Sequence, residues 1–279
     1  MSVTGRFSRT FLQLASTALL AGWLPIAQSE TVITLGAYHF PPIADMGSNQ
    51  KPKGLLGDLI TALEAAHDDL DIRVFHTSPK RRYLDFEAGR YDIILFESAD
   101  WGWSDRDALI SQPILVEEEV YVALNKPDRD QSFFDAIASR SIVAMSGYHY
   151  GFADRETDPD VLRQNFRIEF SDNHNRSLRL IKADRPSLAE VAIINRSYLR
   201  DILAENDVCR SQLLISDKPD QRYQLRVIGR KEGRVTADDL MRLLHPLIAN
   251  GSYAELVHKW GLQLPDNLPA QLAANGHPE

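Results

Sequence analysis

One cysteine, Cys209, stands among 279 residues, which excludes a disulfide within the chain. Basic residues are the minority, 31 against 39 acidic ones for a net charge of −8, and no lysine or arginine block stands out. A chain that acidic has no positive stripe with which to track nucleic acid. His39, His149 and His174 lack the paired spacing of a metal site, and the other histidines are scattered, so neither metal nor cofactor is expected. No Ser-His-Asp or Cys-His order presents itself, and the sequence around Cys209 does not mark it as activated, so nothing points to nucleophilic catalysis. The uncharged apolar stretch from Phe11 to Leu24 falls short of the roughly 20 residues that span a bilayer. Low-complexity sequence is confined to the tail after Leu262, where Pro, Asn, Gln and Ala dominate and a loosely held end is expected over 263–279.

What is present begins with an address. Arg6 and Arg9 precede the apolar stretch, and Ala27-Gln28-Ser29 puts small residues where a signal peptidase reads before cutting ahead of Glu30. Residues 1–29 are therefore expected to be a secretory signal peptide, and the mature protein a soluble monomer of the periplasm. No cysteine lies near the cut to carry a lipid. The remainder is long enough for one large domain or two modest lobes.

Strands and helices then alternate. Val32 to Gly36 is a β-branched run ending at Tyr38-His39-Phe40-Pro41-Pro42, where two prolines stop pairing. Leu56, Leu59, Ile60 and Leu63 form one helical stripe. A strand over Ile72 to Phe75, a helix from about Arg81 to Ala88 ended by Gly89, and a strand over Tyr91 to Phe96 follow. After a strand at Val120 to Leu124 the pattern restarts: a capping signal at Ser132 and Asp135, a strand at Ile142 to Met145, a helix at Asn175 to Ala183, a strand at Val191 to Ile194 and a helix at Tyr198 to Ala204. Gln224 to Ile228 returns the chain as a strand. Thr236 with Asp239 opens a helix bearing Leu240, Leu243, Leu244 and Leu247; Gly251 is placed for a left-handed cap, and Ser252 with Glu255 starts a second helix. Such alternation predicts an α/β protein with a mainly parallel sheet in two units.

Four landmarks carry a resemblance. They are the strand followed by Phe40-Pro41-Pro42, the helix start Gly54-Leu55-Leu56-Gly57-Asp58-Leu59, the strand start Gly89-Arg90-Tyr91-Asp92, and the closing pair of helices from Leu247 through Asn250-Gly251-Ser252 to Trp260-Gly261-Leu262. In this order the chain resembles the periplasmic solute-binding proteins of ABC transporters, in the amino-acid-binding-like family. The resemblance implies a two-lobed fold of type II with two crossing hinge strands, near Val120 to Leu124 and Gln224 to Ile228. It implies lobe 1 from 30–122 plus 224–262 and lobe 2 from 123–223. The function implied is binding a small solute by lobe closure and delivering it to an inner-membrane ABC permease, without catalysis. A ligand-sensing input for a membrane receptor, or a cleft-carboxylate lyase or dehydratase with Glu97 as its acid, are the alternatives.

The resemblance also places candidate ligand-binding residues. Phe40 matches the aromatic lining the family's cleft. Arg106 falls about where an arginine grips the ligand carboxylate with its planar fork, or else pairs with Asp105 and Asp107 at the surface. The loop Glu97-Ser98-Ala99-Asp100-Trp101-Gly102-Trp103 departs from the family's small hydroxyl residues, only Ser98 keeping one. An acid beside two indoles is the chemistry of a cation site, although Trp101 and Trp103 could equally form a local core. Tyr148 stands where the family has a threonine, its ring suiting a planar or sugar-like solute or simply filling space. Asn195 stands where the family has the aspartate that pairs with an ammonium. These departures predict a solute other than a standard α-amino acid.

Overall fold

The computed structural model describes residues 1–2, 31–46, 51–205 and 207–268. Residues 3–29 of the expected signal peptide and residues 269–279 of the tail fall outside the described residues.

The elements in order are β1 (Thr31–Ala37), the short pair β2 (Asp45–Met46) and β3 (Pro52–Lys53), α1 (Leu55–Ala66), β4 (Leu70–His76), α2 (Arg82–Glu87), β5 (Ile93–Glu97), β6 (Ala108–Ile110) and β7 (Leu115–Leu124). Then come β8 (Ser141–Met145), α3 (Pro159–Asn165), β9 (Arg167–Ser171), α4 (His174–Lys182), β10 (Val191–Asn195), α5 (Arg196–Glu205), α6 (Asp207–Gln212), β11 (Leu213–Arg230), α7 (Ala237–Ala249) and α8 (Ser252–Lys259). No helix among the described residues is long and apolar enough to cross a membrane.

Pairing runs β4-β1-β5-β11-β7-β10-β8-β9. The two outer triples are parallel, β4 and β5 flanking β1, and β9 and β10 flanking β8. Between them β7 and β11 run antiparallel to their neighbours and to each other. The centre is therefore a pair of strands shared by two sheets. Gln224 to Ile228 pairs with the first triple through β5, while Val120 to Leu124 pairs with the second through β10. Both strands extend well beyond the segments expected from sequence. The stretch that serves both sheets is Glu117–Glu119 opposite Gln221–Tyr223.

Each triple carries its own helices. α1, α7 and α8 pack together against the first sheet, and α4 and α5 against the second. α7 opens with the expected reciprocal cap between Thr236 and Asp239, and Gly251 takes a left-handed φ of 86° between α7 and α8. α7 buries Leu240, Met241, Leu244 and Leu247. Two of the sequence landmarks meet here, since Trp260 Nε1 donates to Asp58 at the start of α1 at 2.7 Å. The expected cap at Ser132 differs. Asp130 accepts the Ser132 N–H and starts a short 3-10 turn over Gln131–Phe134, because an aspartate two residues upstream reaches that amide first. Residues 263–268 lie against the hinge, with Val116 N–H donating to Gln263 O at 2.8 Å and Leu268 buried.

Candidate functional site

The carboxyl ends of both parallel triples point at one another, which is where open α/β sheets gather ligand-contacting residues. On the first side β1 delivers Tyr38 and Phe40, β4 leads into Arg82 at the start of α2, and β5 ends in Glu97. Gly36 makes this possible, because a Cβ there would lie 2.8 Å from the Tyr91 ring. That ring is needed in place, as its hydroxyl donates to the Arg82 carbonyl at 2.5 Å. At the end of β5 the register slips: Arg226 pairs with Glu97 and Val227 with Leu95, leaving Phe96 as the extra residue of a bulge at φ 64°. A left-handed bulky residue is uncommon and strained, and a bulge re-aims the side chain beside it. That side chain is Glu97.

Glu97 is completely buried, as is Arg82 to within 1%. Arg82 Nε stands 3.0 Å from Glu97 Oε2, close enough for an ion pair but misaligned for a hydrogen bond. Trp103 Nε1 donates to the same oxygen at 2.6 Å. Burial pushes the Glu97 carboxyl up, and the Arg82 guanidinium, the Trp103 donor and the nearby Tyr38 hydroxyl pull it back. Glu97 Oε1 is buried with no hydrogen-bond partner. Arg82 Nη1 donates to Pro79 O and Nη2, at 2.7 Å, to the Tyr83 hydroxyl.

On the second side β8 leads into Tyr148 and His149, β9 into His174, and β10 ends in Asn195. Asn195 Oδ1 accepts from His174 Nε2 at 2.8 Å, and Asn195 Nδ2 donates to the Tyr223 hydroxyl at 2.7 Å. An amide oxygen only accepts, so His174 carries its proton on Nε2 and keeps a buried, unpartnered Nδ1 as an acceptor. Desolvation by burial pushes His174 down to about 4 and His149 to about 3, so both rings are neutral at pH 7.

The two sides touch. Tyr148 donates its hydroxyl to His39 O at 2.8 Å, and its ring meets Phe40 at 5.7 Å and Tyr38 at 6.5 Å. Trp101 stacks on His149 at 5.8 Å and meets Tyr223 at 5.0 Å and Phe40 at 6.0 Å, while its Nε1 has no partner.

The shared strands add a floor of carboxylates. Glu117 and Glu119 alternate on β7 and are buried. Glu117 accepts from the Ser197 hydroxyl and, at 2.8 Å, from the Glu118 N–H. Glu119 accepts from Gln221 Nε2 at 2.8 Å, and Asp220 accepts from the Tyr121 hydroxyl and the Gly151 and Phe152 N–H groups. Desolvation by burial raises all three: Glu117 to about 7, Glu119 well above the usual range with Asp220 and Glu117 adding to it, and Asp220 against its donors.

No family profile matches the chain, and no curated protein matches it. Its structure, however, superposes on an ABC uptake transporter substrate binding protein from Streptococcus pneumoniae with bound histidine. The TM-score is 0.64 at 19% identity, over 82% of this chain and 92% of that one. The GluR0 ligand-binding core from Nostoc punctiforme, in complex with L-glutamate, gives 0.61 at 14%, covering 82% and 99%. A histidine kinase sensor domain with similarity to periplasmic binding proteins gives 0.64 at 16%, covering 85% and 99%. The fold is that of the two-lobed periplasmic binding proteins.

Within that fold the residues singled out from sequence separate into groups. Phe40, Trp101 and Tyr148 meet between the lobes. Glu97 and Trp103 join each other in the interior of the first lobe, where Trp103 also packs on Tyr83 and Phe86. Asn195 ties the second lobe to the hinge through Tyr223. Ser98 is buried and lines, with Asp100, Arg222, Tyr223 and Arg226, a cavity of about 490 Å³ beside the hinge. Arg106 stands apart on the far side of Tyr83, its guanidinium 4.1 Å from that ring and 3.7 Å from Glu87. The buried arginine of the cleft is Arg82, which sequence reasoning passed over. A signal existed, since Arg82 sits four residues before Phe86 on the inward face of its helix. Glu117 and Glu119 were missed because three consecutive glutamates mask a strand.

The Tyr148 bond can be weighed. Tyr148→Phe keeps the ring and removes one interlobe hydrogen bond, worth about 1 kcal/mol. The closed population should fall about fivefold relative to the open one, read as a larger radius of gyration in X-ray scattering. An unchanged radius would mean that the bond does not hold the lobes together.

Proposed function

We propose that the protein binds a small solute by closing its two lobes and delivers it, in the periplasm, to an inner-membrane ABC-type permease. The observation that carries this reading is direct contact between the two lobes at the carboxyl ends of their strands, with aromatic rings and unpartnered polar atoms turned inward. A solute enclosed there loses most of its water, so each hydrogen bond to it gains strength. The shared strands are the only connection needed for a hinge, and closure makes a shape that a permease can read. In this reading residues 30–122 with 224–262 form one lobe and 123–223 the other, residues 1–29 are removed on export, and the protein works as a monomer. Glu97 is a binding group and not a general acid, because its one engaged oxygen is shared by Arg82 and Trp103.

A sensing role uses the same closure, and the likeness to a histidine kinase sensor domain favours keeping it as the second reading. The test is a thermal-shift screen of periplasmic metabolites followed by X-ray scattering. A bound solute at about 100 times its Kd should add about 2.7 kcal/mol of stability, leave the radius of gyration smaller, and come back chemically unchanged. A solute that is consumed, with consumption lost in Glu97→Gln, would replace the binding reading with the lyase one.

A further inference from the structure

Charge between the lobes does not balance. Among the described residues Arg82 is the buried cation there, and its three nitrogens meet Glu97, Pro79 and Tyr83 in turn. Against it stand four carboxylates, Glu97, Glu117, Glu119 and Asp220. No lysine, arginine or histidine among the described residues pairs with Glu119, Glu117 or Asp220. Glu119 is the least compensated, its one hydrogen bond coming from a neutral amide. The groups that face it are Glu117 and Tyr121 on β7, Asp220, Gln221 and Tyr223 on β11, and Tyr148 and Tyr150 on the loop after β8. Every charged one is acidic.

The surroundings are rings. Tyr148 stacks on Tyr150 at 6.4 Å, and Tyr223 reaches Trp101, Phe40 and Tyr148 in succession. Tyr148, whose ring meets Tyr38 and Phe40 of the first side, lies within electrostatic reach of both Glu119 and Glu97. The second carboxylate supplies an independent sign of a missing partner: Glu97 is fully buried, and its Oε1 has no donor. A buried acid without a cation and a wall of aromatic faces together form the recognition chemistry of ammonium and guanidinium groups. A ligand anion is less well provided for, because the one buried guanidinium already pairs with Glu97.

We infer that the cleft takes an organic cation, its ammonium or guanidinium head seated between Glu119 and Glu97 and walled by Tyr148, Tyr223 and Trp101. This rests on the reading of the cleft as a solute site closed by the lobes. It adds a coupling. Glu119 holds a proton when no cation neutralises it, so each cation that binds releases one proton, and affinity rises with pH by up to tenfold per unit.

The experiment compares solutes of one shape and different charge on the whole mature protein. Choline is set against its neutral carbon isostere 3,3-dimethylbutan-1-ol, and putrescine against butane-1,4-diol. Agmatine and methylguanidine serve as guanidinium probes and succinate as an anion. Calorimetry at pH 6 and pH 8, in two buffers of different ionisation enthalpy, reads affinity and protons released. At least one cation should bind, at least tenfold more tightly than its neutral isostere and more tightly at pH 8, with about one proton released. Glu119→Gln should cost that cation tenfold or more and abolish the pH dependence. The isostere comparison needs no variant, so it stands even if Glu119→Gln folds poorly. Binding of a neutral solute or of succinate in preference to the cations overturns the inference and leaves the solute-binding reading intact. Silence from all the probes overturns the inference, whereas a solute found by the metabolite screen would still uphold closure.

Discussion

Arg82→Met should lower stability by about 3–5 kcal/mol at pH 8, while the double variant Arg82→Met with Glu97→Gln should recover most of that loss. The size follows from burial. Breaking a buried pair by removing one partner leaves a charge with no water and no counter-ion, whereas replacing both partners with neutral groups of similar shape is often close to neutral. Met fills the volume of the arginine stem, and the amide oxygen introduced by Glu97→Gln can still accept from Trp103 Nε1, so packing and the indole bond survive in the double variant. The loss has a second signature. Glu97 left alone escapes its cost by taking up a proton, so Arg82→Met should be less damaging at pH 5 than at pH 8. Urea unfolding followed by tryptophan fluorescence at the two pH values measures both effects. If the single and double variants lose the same amount at pH 8, the arginine contributes by packing alone, and the ion pair is not what organises the first lobe's face of the cleft.

The architecture was legible wherever one residue type had one physical reason to be where it is. Thr236, Asp239 and Gly251 announced two helices because caps and left-handed glycines are local devices, settled within a few residues. β-branched runs announced the parallel strands because a strand buried on both faces has no alternative composition. The hinge was less legible because it obeys neither rule. β11 carries Asp217, Pro219, Asp220 and Arg222 in its first ten residues, and β7 carries Glu117, Glu118 and Glu119, so both read as loop from sequence and only their apolar ends read as strand. A strand shared by two sheets has no single buried face, and its polar residues serve tertiary partners that lie far away in sequence. The site suffered from the same limit. That Trp101 and Trp103 belong together was visible, but their separation into an interlobe ring and a first-lobe ring is set by a bulge at Phe96, and a bulge is a property of pairing with Arg226 and Val227. Arg82 needed the helix face and the Glu97 position together, and the second of these exists only once β5 is in its register.

The hinge carboxylates, Glu117 and Glu119 buried and Asp220 half-buried, should make stability fall as pH rises above about 6.5. Glu117, Glu119 and Asp220 are all raised in the folded state, so from about pH 4.5 upward the unfolded chain has released protons that the folded one still holds. Stability then declines by about 1.4 kcal/mol per pH unit for each group still protonated. Glu117, at about 7 in the folded state, contributes about 3 kcal/mol of loss between its unfolded value and that point. His149 and His174 act with the opposite sign. Held neutral when folded, they are protonated in the unfolded chain below about 6.5, so they remove stability as pH falls from there through about 4 and 3. Below pH 6.5 the two sets oppose each other, and above it the carboxylates act alone. Urea midpoints taken from pH 5 to pH 8.5 should therefore trace a flat or rounded top and a falling alkaline limb. Glu117→Gln should keep a hydrogen bond to Ser197 and remove the loss between about pH 4.5 and 7, so the acid side rises more steeply toward neutrality while the limb above pH 7 is kept. Glu119→Gln should flatten what remains at higher pH. If the wild-type limb is level between pH 6.5 and 8.5, these carboxylates are solvated in solution, and the hinge is open where the structure shows it packed.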